Sequence, residues 1–295
     1  MFKNYIKTAI RNILGQKTYS LINIAGLSLG MACSILIMLW VQDELNYDRF
    51  HKNADSIYRV VEDQYYSDGT YHVTVTPFPV GPAFKEELPE VINAARLCWN
   101  VGFLMRYGDK AFFETGIRPV DPSFLDMFTF PFVRGDAATA FENTRSIVIT
   151  EEMAQKYFGN DDPMGKIFSA NNKYDFVVTG VMTDVPPNSS LEFDMLIPFE
   201  FTKELGWYNE RWGSNSIQTY VQVEESSDII AINKKMTEIV HSHDEESTTD
   251  FLLAPLVDMH LHSYGGTAMK WAIFSMSISS ALWPCLYCCL PVSIS

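Results

Sequence analysis

Two His-x-His pairs, His241/His243 and His260/His262, have the spacing of metal ligands. On a β-strand, residues two apart face the same side, so the second pair would offer two imidazoles to one cation. No third ligand is specified, and the segment "PLVDMHLHS" reads as an edge strand on its way back toward a membrane. The favoured reading of both pairs is structural. A second suggestive segment, "GNDDPMGKI" from Gly159, looks like a phosphate loop. A Walker A loop needs four residues between its glycines and Ser or Thr after the Lys, so that a hydroxyl can hold Mg²⁺. Here five residues separate Gly159 from Gly165, and Ile167 follows Lys166. The stretch reads as a helix end and a turn that feeds a strand.

Three thiols, Cys285, Cys288 and Cys289, crowd the last residues and offer a metal or lipidation site as the sharper of two readings. Trp207 and Trp212 bracket the polar stretch "WYNERWGSNS", where an exposed aromatic recognition patch competes with core packing, the favoured role. No Gly-x-Ser-x-Gly elbow, zinc-protease helix or dinucleotide fingerprint occurs. No residue is a candidate for catalysis, and no cofactor or metal is expected on the chain.

Behind these residues stands a chain with a strong division of charge. Residues 1–19 carry Lys3, Lys7, Arg11 and Lys17 and no acid, whereas all 36 acidic residues lie between Asp43 and Asp258. That stretch holds 17 of the 22 basic residues, for a balance of −19. Such a surface repels phosphate backbones, which excludes nucleic acid as a partner of the body. Cys98 is the single cysteine of the body, so an internal disulfide there is ruled out and the thiol is expected to pack as a small hydrophobe.

Residues 20–41 form 22 consecutive residues without a charge, among them Ser20, Ile24, Gly30, Leu36 and Val41. About 20 such residues span the hydrocarbon core as a helix. The flanking charge before the run is positive and Asp43 and Glu44 follow it, which predicts a cytoplasmic N-terminus and a body outside. A cleavable signal would have a shorter apolar region, a buried core helix would not show this charge asymmetry, and a lipoprotein signal would want an aliphatic residue where Gly30 stands. Ahead of the span, Phe2, Tyr5, Ile6, Ala9, Ile10, Ile13 and Leu14 recur at helical spacing, with Lys3, Lys7 and Arg11 on another side. That is an amphipathic helix at the membrane surface, either a plain lipid anchor or a contact for a cytoplasmic partner.

The body mixes strands and short helices. "IYRVVEDQYY" and "YHVTVTP" are strands joined by "SDGT". "VGPAFKEELPEV" is a short helix disturbed by Pro89. "FLMRYGDKAFFETGIRPV" is a hairpin turning at Gly108-Asp109. In "RSIVITEEMAQKYFG" a strand ends at Thr150, which caps a helix that stops at Gly159. "YDFVVTGVMTDV" and "SIQTYVQVEE" are strands, and Ser227 or Asp228 caps the longest helix of the body. The fold class is α+β.

Several segments together resemble one family: "NYIKTAIRNILGQKTYSLINIAGLSLGMA", "WVQDELNYDRFHKNADSIYRVV", "ITEEMAQKYFGNDDPMGKIF", "FVVTGVMTDVPPNSSLEFDMLIPF", "WGSNSIQTYVQV" and "PLVDMHLHS". They look like the permease subunits of bacterial ABC transporters of the MacB/FtsX type with their large periplasmic domain. The likeness covers about residues 1–265. It implies a cytoplasmic amphipathic helix (1–19), one transmembrane helix (20–42) and a two-lobed mixed α/β periplasmic domain (43–265). The porter-like lobe would comprise about residues 50–98 and 216–263, and the inserted lobe about 99–215. It also implies an ATP-binding subunit as partner, a homodimer or permease heterodimer, and mechanical work on a substrate outside the inner membrane. Lys3, Lys7 and Arg11 would then adjoin the ATP-binding subunit. The family has three further membrane helices after that domain. Residues 266–295, uncharged from Trp271 and rich in Ser and Cys, are expected to be a truncated or frame-shifted second membrane segment. The rival reading is a single-pass membrane-anchored binding or sensor domain, or an inactive permease fragment.

Overall fold

The computed structural model describes residues 2–262 and 266–267. Two compact units divide the chain after Leu45. In the first, α1 (Phe2–Gly15) and α2 (Lys17–Leu45) are separate helices that break at Gln16. No residue of α2 is buried, and its apolar window has a mean hydropathy of 2.2. The helix is long and apolar enough to cross a membrane. Its 29 residues rise about 44 Å, more than the hydrocarbon core of about 30 Å.

The second unit runs from Asn46 and alternates strands with short helices. In chain order these are β1 (Ile57–Tyr66), β2 (Gly69–Val73), α3 (Val80–Glu87), β3 (Val91–Leu97), β4 (Val101–Tyr107), β5 (Lys110–Val120) and α4 (Phe124–Met127). There follow β6 (Phe132–Arg134), β7 (Ser146–Thr150), α5 (Glu151–Phe158), β8 (Ile167–Ala170), β9 (Tyr174–Met182), β10 (Met195–Pro198) and α6 (Phe201–Glu204). The last are β11 (Gln218–Val223), α7 (Ile229–His243), β12 (Thr249–Pro255) and β13 (Gly266–Thr267).

Six strands close into a ring in the order β10-β7-β9-β8-β4-β5, because β10 pairs with β7 on one edge and in parallel with β5 on the other. The interior is filled by Phe103, Met105, Ile147, Ile149, Phe168 and Phe176, all buried, and α5 adds Tyr157 and Phe158 to the same cluster. β7 and β10 are buried on both faces: Ile147 and Ile149 point into the ring, while Val148 and Leu196 join a second cluster with Leu97, Val120 and Tyr220. This accounts for the consecutive apolar residues Ile147–Ile149 and the run "MLIP", which lack the alternation of a half-exposed strand. The hairpin between β4 and β5 turns at Gly108, φ 55°, with Tyr107 paired to Lys110.

β3, β11 and β1 form a mixed-length antiparallel sheet joined to the ring by the single pairing Leu97–Val120. Both β11 and β12 pair with Tyr58 and Arg59 of β1, so they lie on opposite edges, and β2 takes over the β11 edge from Glu62 onward. α3 and α7 cover this sheet through Phe84, Ile232, Met236 and Val240, packed with Val60, Val221 and Phe251. Burying each such side chain stabilises the fold by roughly 1.5–3 kcal/mol.

The caps read from sequence are present. Thr150 accepts a hydrogen bond from the Met153 N–H, Gly159 (φ 62°) ends α5, and Asp228 accepts from the Ile230 and Ala231 N–H groups. The segment "PLVDMHLHS" corrects the expectation of an edge strand. The strand ends at Pro255, and Leu256–Asp258 is a turn of 3₁₀ helix followed by further turns. Proline has no N–H to continue a ladder, and the Asp258 carbonyl instead accepts from the His262 N–H.

Candidate functional site

The structure disperses the four paired histidines. His241, on α7, donates from Nε2 to the Thr249 carbonyl at 3.1 Å, and His243 stacks on Trp212 with ring centroids 4.3 Å apart. His260 lies face to face with Tyr47 at 3.5 Å, and the His262 ring bonds the Asp258 carbonyl. Among the described residues, no three His, Cys, Asp or Glu side chains converge as a metal site. His241 belongs to a regular device. Asn233, Thr237 and His241, spaced by four on α7, bond Leu253 N–H, Phe251 N–H and Thr249 carbonyl on the outer edge of β12. One helix face thereby takes the place of a neighbouring strand.

The Gly159–Lys166 segment is a linker with no cradle of free N–H groups. Gly165 N–H bonds the Val178 carbonyl, Lys166 N–H bonds the Pro163 carbonyl, and β8 begins at Ile167. Cys285, Cys288 and Cys289 lie outside the described residues. Ser20, Ile24, Gly30, Leu36 and Val41 all lie on α2. Lys7 and Arg11 are exposed on α1, and the side chain of Lys3 lies outside the described ones.

The feature with the attributes of a binding site is an open cleft of about 770 Å³. Such volumes, apolar with a few polar groups, are typical of small-ligand sites. Its walls include Trp99, on the link between β3 and β4, and Trp207, just after α6. They are 55% and 49% exposed, unusual for so large an apolar ring. The floor is buried: Phe78, Phe103 and Ile217. Tyr174 and Lys173 form one side, with Lys173 Nζ 4.6 Å from the Tyr174 ring centroid. Cys98 also lines the cleft, and burial pushes its thiol up to about 12, which leaves it unreactive.

Buried polar groups fix the frame around the cleft. Arg96 grips Asp121 through two hydrogen bonds of 2.8 and 2.9 Å, donates to the Phe78 carbonyl, and lies 4.1 Å over the Phe199 ring. Arg118 donates to the Cys98 carbonyl at 3.0 Å and to Gln218 Oε1. The loop that follows Trp207 is held by Asn209, whose amide bonds Ser214 at 2.8 Å, and by Asn215, which donates to Glu62 Oε2. Glu62 is 1% exposed, and Oε1 has no hydrogen-bond partner. Burial raises its carboxyl to about 7, while the bonds from Gln64 and Asn215 lower it. Of the two tryptophans singled out in the sequence, Trp207 faces the cleft and Trp212 packs on His243. Trp99 and Lys173 escaped sequence reading because neither sits in a patterned motif; the cleft exists through long-range packing.

Residues 20–239 match the family described as the MacB-like periplasmic core domain. No curated protein matches the chain. Among solved structures, a domain of a protein described as a permease, from Porphyromonas gingivalis, aligns with a TM-score of 0.62 at 24% identity, over 70% of this chain and 91% of that one. The periplasmic region of MacB from Actinobacillus actinomycetemcomitans aligns with a TM-score of 0.50 at 14% identity, over 68% and 89%. The extracellular domain of the noncanonic ABC-type transporter YknZ from Gram-positive bacteria gives 0.49 at 17% identity, over 67% and 98%. The first two likenesses show a shared fold.

Proposed function

The chain belongs to the family of the MacB-like periplasmic core domain, and from that premise we propose that it is the permease subunit of an ABC transporter. In this reading the N-terminus is cytoplasmic, α2 crosses the inner membrane, and the acidic unit stands on the far side. A separate subunit binds and hydrolyses ATP, and a homodimer or permease heterodimer turns that cycle into movement of the outer domains. Lys3, Lys7 and Arg11 on α1 meet the ATP-binding subunit. The closed ring corresponds to the inserted lobe (about 99–215), and the β1–β3–β11–β12 sheet with α3 and α7 to the porter-like lobe (about 50–98 and 216–263).

The observation that carries the reading is the continuity of one chain. A basic, acid-free segment leads into a 29-residue apolar helix, and that helix leads into an acidic body of this family. The test is co-purification from detergent-solubilised membranes after expression with the neighbouring genes. A stoichiometric ATP-binding subunit in the eluate is the expected result. A folded, inserted chain that brings none refutes ATPase coupling and favours the single-pass binding or sensor reading, for which the aromatic cleft is the supporting observation.

A further inference from the structure

We propose that the cleft between Trp99 and Trp207 binds a small amphipathic organic anion, with a planar apolar body against the tryptophans and one anionic group toward Lys173. The apolar half of the argument is the surface itself. Two half-exposed indoles stand over a buried floor of Phe78, Phe103 and Ile217 in a space large enough for a drug-sized molecule. Indole faces stack on flat apolar bodies and lose little side-chain freedom in doing so.

Charge complementarity selects the anion. Residues 43–258 carry a balance of −19, yet no Asp or Glu lines this cleft, and its one lining charge is Lys173. Lys173 makes no ion pair among the described residues, and its ammonium is held against the Tyr174 ring. A cation in an acid-free recess of an acidic surface favours a neutral body with one negative group and disfavours a cation. The frame is preorganised: Asn171 Oδ1 accepts from the Leu104 backbone N–H at 2.8 Å, and the Trp207 backbone N–H donates to the Thr202 carbonyl at 3.0 Å. Binding here requires the cleft alone and stands or falls separately from ATPase coupling.

The experiment uses the full chain in lipid nanodiscs, with empty nanodiscs as reference. Three probes of one shape are titrated by tryptophan fluorescence and calorimetry: 2-naphthalenesulfonate, naphthalene-2-methanol and 2-naphthyltrimethylammonium. The expected order of affinity is sulfonate, then alcohol, then ammonium. Lys173→Gln should weaken the sulfonate about fivefold, the worth of a solvent-accessible ion pair, and leave the alcohol unchanged. Trp99→Ala and Trp207→Ala should weaken all three, with circular dichroism as wild type. Ammonium binding as tight as sulfonate overturns the proposal, as does absence of saturable binding up to the solubility of the probes. Equal binding of sulfonate and alcohol, unaffected by Lys173→Gln, also overturns it and marks the cleft as a seat for an apolar side chain of a partner. Unchanged affinity in both tryptophan variants places the binding elsewhere and overturns it too.

Discussion

Replacing Glu62 by Gln isolates a titration buried in the body. Protonated Glu62 and Gln have nearly the same shape. In either, an oxygen at the Oε2 position accepts from Gln64 and Asn215, and a protonated or NH₂ group lies where Oε1 has no partner. The folded protein holds this proton up to about pH 7, whereas the ordinary carboxyl releases it near 4.5. Between those values the folded state binds a proton that the unfolded state does not. The associated stability is complete below 4.5, declines as pH rises, and is gone above 7. At 1.36 kcal/mol per pH unit, the shift is worth about 3 kcal/mol. Glu62→Gln is therefore expected to be near neutral at pH 4.5 and more stable than wild type by about 3 kcal/mol at pH 8. The assay is urea unfolding of the full chain in a non-ionic detergent, followed by tryptophan fluorescence across that range. Subtracting one chain from the other removes every other titration. A difference that stays constant with pH would refute the assignment, because a purely steric effect of the amide does not track protonation.

The opposite slope is expected of His51, which burial lowers to about 4 while its Nδ1 accepts from the Thr129 N–H at 3.0 Å. Its contribution is present above pH 6.5 and lost on acidification toward 4, so His51→Asn, which keeps an acceptor, should flatten that acid limb in the same unfolding assay. Arg96→Ala should cost roughly 3–5 kcal/mol by leaving Asp121 without its buried partner, and Arg96→Lys less; thermal unfolding reads both. Gly135 has φ 84°, and an added Cβ would stand 2.6 Å from the Thr179 carbonyl oxygen. Gly135→Ala is accordingly expected to destabilise by about 2 kcal/mol or more, and a midpoint within error of wild type would contradict that backbone.

What was legible in the sequence is what is local. Thr150, Gly159, Gly108 and Asp228 announced caps and turns because each acts on backbone groups within a few residues. The apolar helix was legible from length and charge alone. The closed ring was not, since the parallel pairing of Met195–Pro198 with Ile117–Val120 joins strands some eighty residues apart that carry no mark of each other. The His pairs were read as structural, but their partners were not legible, because spacing constrains only the backbone while Thr249 and Trp212 are brought to His241 and His243 by folding. The cleft shares that origin: Trp99, Lys173 and Trp207 are neighbours only after folding.

The helix that covers β12 behaves like a vernier scale. Four residues of α-helix advance about 6.0 Å, and two residues of strand about 6.7 Å, so each successive rung from Asn233 through Thr237 to His241 slips by about 0.7 Å. Three rungs tolerate that slip; a long ladder would not. A rung beyond Asn233 would join Ile229 to residue 255, and Ile229 has no polar group while Pro255 has no N–H to be covered. At the other end α7 stops at His243, two residues past the last rung. The length of β12 is thus matched to the reach of the two mismatched scales. An edge sealed this way offers no template to a stray strand.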